Sequence, residues 1–127
     1  MVNGAGKVLL VDDEQIVISV GRQMLEKLGY SVITAASGPE ALEVYPANKD
    51  DITLVILDMI MPGLGAADTY DWLKAINAQV KVLLSSGYGA DQQATEILNR
   101  GCNGFIQKPF NLQGLSDKIG EILGATG

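Results

Sequence analysis

Five short apolar runs punctuate the chain, and a stretch of helical period follows each. Lys7–Val11 (KVLLV), Ser31–Ala35 (SVITA), Ile52–Leu57 (ITLVIL), Lys81–Ser85 (KVLLS) and Gly104–Gln107 (GFIQ) read as strands. The first is apolar without alternation, as a strand of a parallel sheet covered on both faces is. After it, Gln15–Tyr30 places Ile16, Val20, Met24 and Leu28 at helical spacing, with Gly29 as a stop. Ser37 and Glu40 stand in capping-box register with Pro39 in the first turn. Pro46 is expected to end that second helix early, because its ring clashes with the preceding turn. Ala66–Asn77 and Asp91–Gly101 carry the third and fourth helices. Asn111 is placed to cap the fifth, which puts Leu112, Leu115, Ile119 and Ile122 on one face. Strict alternation of five strands and five helices predicts an α/β fold: a single doubly wound (βα)5 domain with a parallel sheet. The domain is expected over residues 6–124, with 1–5 and 125–127 as tails.

Composition narrows what such a domain does. A length of 127 residues supports one sizeable core, and 47% apolar with 19% charged residues is a globular balance. No apolar run approaches the ~20 residues of a membrane span, and no signal peptide is visible. Cys102 is alone, so no internal disulfide forms and a reducing cytoplasm is expected. A net charge of −6, with nine unclustered Lys and Arg, argues against direct nucleic-acid binding. The absence of histidine removes His-dependent triads, His-ligated metals and any phosphohistidine carried by this chain. One cysteine also excludes a thiolate zinc site. Carboxylates, hydroxyls, Lys and a hard metal remain to do the chemistry.

Those groups fall at strand ends, where open parallel sheets build their sites. Asp12 and Asp13 follow the first strand, Asp58 the third, Ser85 and Ser86 the fourth, and Lys108 the fifth. Singly each has an ordinary reading: a helix cap for Asp13, a turn former for Asp58, loop hydroxyls for the serines, a solvated charge for Lys108. Together they form a physical unit. Converging carboxylates repel by on the order of 1–4 kcal/mol per close pair, so a cation must hold them. An all-oxygen site without His or Cys suits Mg²⁺. A hydroxyl and an ammonium opposite the metal would cradle phosphoryl oxygens, which makes Asp58 a candidate nucleophile.

The pieces LLVDDE (Leu9–Glu14), VILDMIMPG (Val55–Gly63), VLLSSGY (Val82–Tyr88) and GFIQKPF (Gly104–Phe110) resemble, in order and spacing, the receiver domain of two-component response regulators. The resemblance covers the chain from about Lys7 to Leu123. It implies a flavodoxin-like sheet of strand order 2-1-3-4-5, the order that chemotaxis regulators exemplify. It implies that Asp58 accepts the phosphoryl group. Asp13 would bind Mg²⁺ directly and Asp12 mainly through water, with Asp58 and the backbone carbonyl of Ile60 completing the set. Ser86 takes the place of the family's phosphoryl-binding hydroxyl, Lys108 pairs with phosphoryl oxygens, and the Lys108–Pro109 bond is expected cis. Ser86 and Phe105 match the switch pair, in which the aromatic ring turns inward. The implied donor is a histidine kinase or a His-phosphotransfer domain. The implied output is a downstream protein met by the face of helix four, strand five and helix five, or a phosphorylation-linked dimer. No membrane contact by this chain is implied. The domain would be a switch rather than an enzyme, catalysing only its own phosphotransfer and dephosphorylation.

Departures from the family pattern carry expectations of their own. Phe105 lacks the phenol hydroxyl of a tyrosine switch. Ile60 offers no polar side chain to steer water and Tyr88 is bulky, so self-dephosphorylation is expected to be slow. The residues after Leu123 are too few for an output domain, so either a stand-alone receiver or a module of a longer chain is expected. The LLSSGY and GCNGFIQKPF segments resemble receivers attached to hybrid sensor kinases. Two other classes compete. A Mg²⁺-dependent phosphatase or phosphotransferase of the haloacid-dehalogenase type would need an acid at position 60, which is Ile. An unphosphorylated interaction scaffold would not need the complete acidic set. A nucleotide-binding fold is disfavoured because no Gly-rich loop follows the first strand.

Overall fold

A computed structural model describes residues 6–59, 65–87 and 92–123. Its strands are β1 (Lys7–Val11), β2 (Ser31–Ala35), β3 (Ile52–Asp58), β4 (Val82–Ser86) and β5 (Gly104–Gln107). They alternate with α1 (Gln15–Lys27), α2 (Gly38–Asn48), α3 (Ala66–Ile76), α4 (Gln92–Asn99) and α5 (Leu112–Leu123). All pairings are parallel, in the order β2-β1-β3-β4-β5. The expected fold class and strand order are both met.

Alternate strand residues feed two cores, which is why the central strands are apolar throughout. Leu9, Val11, Val55, Leu57, Val82 and Leu84 pack with Tyr45 of α2, Tyr70 and Leu73 of α3, and Ile97 of α4. Val8, Leu10, Leu54, Ile56 and Leu83 pack with Ile18 and Leu25 of α1 and with Leu115 and Ile119 of α5. Two helices therefore cover one face of the sheet and three the other. Local signals act as expected at several ends. The Ser37 hydroxyl accepts from the Glu40 N–H at 3.2 Å, and the Glu40 carboxylate accepts from the Ala36 N–H at 2.9 Å. Asn111 accepts from the Gly114 N–H at 2.7 Å. Gly29, at φ +96°, takes the left-handed turn after α1 that a residue with a Cβ would resist.

One expectation fails, that for Pro46, and the spacing that marks α1 as a helix does not mark its buried face. The face of α1 that meets the sheet is Ile18, Gly21, Leu25 and Leu28, not the Ile16–Val20–Met24–Leu28 stripe. Ile16 is 72% exposed and Val20 45%, while Met24 is partly buried. Both stripes have helical period, but Gly21 has no side chain and lets α1 approach β1; a Cβ there would stand 3.0 Å from Leu10. Pro46 does not end α2, which runs to Asn48. Tyr45 beside it is buried and accepts a hydrogen bond from Asn77 after α3, so tertiary packing holds the last turn together.

Burial raises the pKa of Cys102, of Tyr30, of Tyr45 and of Tyr70, chiefly by desolvating the charged form. Each folded group then holds its proton where the unfolded chain loses it, so unfolding releases protons in alkali. Stability is expected to hold from neutrality to the ordinary thiol value of 9.0 and to fall steadily above it. Urea midpoints at several alkaline pH values check this, and a midpoint that rises above pH 9 contradicts it. The Tyr70 hydroxyl is buried and, among the described residues, has no hydrogen-bond partner. Tyr70→Phe removes that unsatisfied group and is expected to leave stability unchanged or raise it by about 1 kcal/mol. A fall of that size in urea unfolding would show that the hydroxyl is bonded in solution.

Candidate functional site

The register of the sheet gathers the polar strand ends at one edge. Asp12 directly follows β1, Asp58 is the last residue of β3 and pairs with Ser85, and Ser86 ends β4 opposite Gln107. The ladder continues past Asp58, because the Met59 N–H donates to the Ser85 carbonyl at 2.8 Å. Asp58 is thereby held between ordered backbone on both sides. Asp12 and Asp58 are almost fully buried, whereas Asp13 is exposed. Oxygens of these three carboxylates lie within 4.8 Å of one another.

Lys108 supplies the counter-charge. Its ammonium donates to Asp12 at 3.0 Å and to Asp58 at 3.1 Å, and it stands 3.7 Å from Glu14. Burial alone would lower its pKa, but the hydrogen bond to Asp12 and the charge of Asp58 outweigh that and hold it above the ordinary value. Lys108 is therefore a fixed cation at neutral pH. Its backbone is tied to β4 as well, the Lys108 N–H donating to the Ser86 carbonyl at 2.7 Å. The Lys108–Pro109 peptide is cis, as the resemblance implies.

Ser86 is buried at the same edge, and Phe105 of β5 is partly buried against the α2–α3–α4 core. The Ile60 carbonyl and Tyr88 lie outside the described residues. An open groove of about 700 Å³ leads to the acids, lined among others by Asp13, Glu14, Asp58, Gly87 and Lys108 on its polar side and by Val20 on its apolar side. Glu14 is the residue of this edge to which the sequence reading assigned no role. The available signal was the third acid of the D-D-E run, and only the path of the chain after β1 turns it toward Lys108.

The donor set fits a hard divalent cation: carboxylate oxygens only, no nitrogen or sulfur, and more negative charge than one Lys neutralises. Asp12, Asp13 and Asp58 are the residues that would hold it. Among the described residues no helix is long and apolar enough to cross a membrane.

Comparison with known proteins gives the class. Residues 8–120 match the response regulator receiver domain family. The chain belongs to that family and is a phosphoacceptor domain of two-component signalling. It is 34% identical over 121 residues to the sensor kinase CckA of Brucella abortus, covering 95% of this chain and 13% of that protein. The chain thus spans a small part of the length of that relative. The crystal structure of a response regulator receiver domain protein from Clostridium thermocellum superimposes with a TM-score of 0.88 at 31% identity, covering 94% of this chain and 95% of that one. A chain of the CheX–CheY–BeF3–Mg²⁺ complex from Borrelia burgdorferi matches with a TM-score of 0.87 at 26% identity, covering 92% and 88%.

Proposed function

We propose that Asp58 is the residue that takes the phosphoryl group, from a phosphohistidine on a histidine kinase or His-phosphotransfer domain. The observation that carries this reading is the buried Asp58 carboxylate, 3.1 Å from the Lys108 ammonium and grouped with Asp12 and Asp13 at the carboxyl edge of the sheet. Asp12, Asp13 and Asp58, with the Ile60 carbonyl, would hold Mg²⁺. The ion supplies charge neutralisation for an anionic donor approaching anionic carboxylates.

The other steps belong to the chain's own side chains. An Asp58 oxygen attacks phosphorus, and the donor's nitrogen leaves with the electron pair of the broken bond. Lys108 exchanges its contact with Asp58 for one with a phosphoryl oxygen, and the Ser86 hydroxyl closes on another. Lys108 and Ser86 share a backbone hydrogen bond, so a pull on either displaces the ends of β4 and β5 together. Phe105, three residues before Lys108 on β5, repacks in response. The changed face of α4, β5 and α5 then meets a downstream protein or a second copy.

The domain covers residues 6–124 and works in the cytoplasm as a switch, catalysing only its own phosphorylation and dephosphorylation. The presence of Mg²⁺ and BeF3 with the Borrelia relative supports a test with the same mimic. With Mg²⁺ and acetyl phosphate, intact mass should rise by one phosphoryl group, and with beryllofluoride the amide resonances of β4 and β5 should shift. Phosphate release without an adduct would favour a hydrolase instead, and no response to either reagent a scaffold.

A further inference from the structure

We infer that Glu14 is a specificity-determining residue, whose carboxylate at the lip of the groove slows transfer to Asp58 from free dianionic phosphodonors. The inference rests on Asp58 being the acceptor. Glu14 occupies the N-cap position of α1, but its side chain makes no capping hydrogen bond. Its backbone is fixed instead, the N–H donating to the buried Asp12 carboxylate at 2.9 Å. From that anchored backbone the carboxylate stands 3.7 Å from the Lys108 ammonium, and the side chain is still 61% exposed.

An exposed pair of this kind contributes little to stability, so its consequence is for what enters the groove. Glu14 and Asp58 both contact Lys108, so they are separated by at most the sum of 3.7 and 3.1 Å. That is within the screening length of ~8 Å at physiological salt, and Glu14 is felt at the reacting carboxylate. The edge carries four carboxylates against one ammonium, Glu14 being the fourth. A divalent ion still leaves one net negative charge there, and loss of Glu14 would bring the local sum to zero. Like charge at the mouth of a cleft lowers the encounter rate of an anion, and lowers it more for a dianion than for a monoanion.

Two small donors separate these cases. From acetyl phosphate, a dianion near neutrality, an Asp58 oxygen bonds to phosphorus while the phosphorus–oxygen bond breaks and acetate leaves with the electron pair. From phosphoramidate, a net monoanion with its nitrogen protonated, the phosphorus–nitrogen bond breaks and ammonia leaves with its pair. At saturating Mg²⁺ and low salt, Glu14→Gln is expected to accelerate adduct formation from acetyl phosphate roughly two- to five-fold and from phosphoramidate by less than about two-fold. The difference should vanish in about 0.5 M salt. With no donor present, amide-shift titration should show Mg²⁺ binding weakened by roughly two-fold, because a nearby negative charge is gone. A faster anion and a weaker cation are opposite in sign, whereas a merely distorted site would lower both. Equal rates for the two proteins, or an acceleration that ignores donor charge and salt, would overturn the role of Glu14 alone. Absence of an adduct in both proteins would overturn the acceptor reading beneath it.

Discussion

Asp58→Asn is expected to lose phosphorylation completely, with no adduct by intact mass after prolonged exposure to Mg²⁺ and acetyl phosphate. The amide is nearly isosteric with the carboxylate but is not an anion, and no anion means no nucleophile at the end of β3. The fold should survive. Asp12 still accepts from Lys108 at 3.0 Å, and one of three mutually repelling carboxylates is gone. Loss of the adduct with retained near-ultraviolet dichroism and an unchanged or higher urea midpoint is thus the expected pair of results. An adduct that persists in the variant would move the acceptor role to another carboxylate of the cluster, Asp13 first because it is exposed.

Lys108→Ala carries the largest expected cost in stability. Asp12 and Asp58 are buried, and Lys108 donates a hydrogen bond to each. Removing one side of a buried charge pair leaves the other uncompensated, which typically costs about 3–5 kcal/mol. The groove gives water some access to the acids, so the lower end applies: about 3 kcal/mol, or roughly 10 °C in Tm for a domain of this size. A divalent ion held by Asp12, Asp13 and Asp58 would replace the missing cation. Mg²⁺ at 100 times its dissociation constant should therefore restore about 2.7 kcal/mol. Urea unfolding with and without Mg²⁺ measures both quantities. A loss under 1 kcal/mol in the absence of metal would mean that the two acids are hydrated and that Lys108 is not their counter-charge.

Binary pattern is enough to predict the elements because the three central strands are covered on both faces and read as unbroken apolar runs. Val8 to Val11, Leu54 to Leu57 and Val82 to Leu84 are buried throughout. The polar residues that interrupt those runs at their carboxyl ends are legible for the same reason, since a buried strand seldom ends on an acid without partners. Pattern fails where two answers have the same period. Ile16 and Val20 are as regularly spaced as Ile18, Leu25 and Leu28, and the lack of room for a Cβ between Gly21 and Leu10 decides between the stripes. It fails also at Pro46, where the local rule against proline yields to the packing of Tyr45 against Asn77.

By itself, then, the sequence determined the α/β alternation, the exclusion of histidine and thiolate chemistry, and which strand ends carry acids, hydroxyls and a lysine. Only the tertiary structure decided that Lys108 bridges Asp12 and Asp58, which are 96 and 50 residues from it along the chain. It alone turned Glu14 toward that bridge. The physical reason is that periodicity reports which face of an element is dry. Distances between the ends of different strands depend on register and sheet order, which are set by the packing of both cores at once.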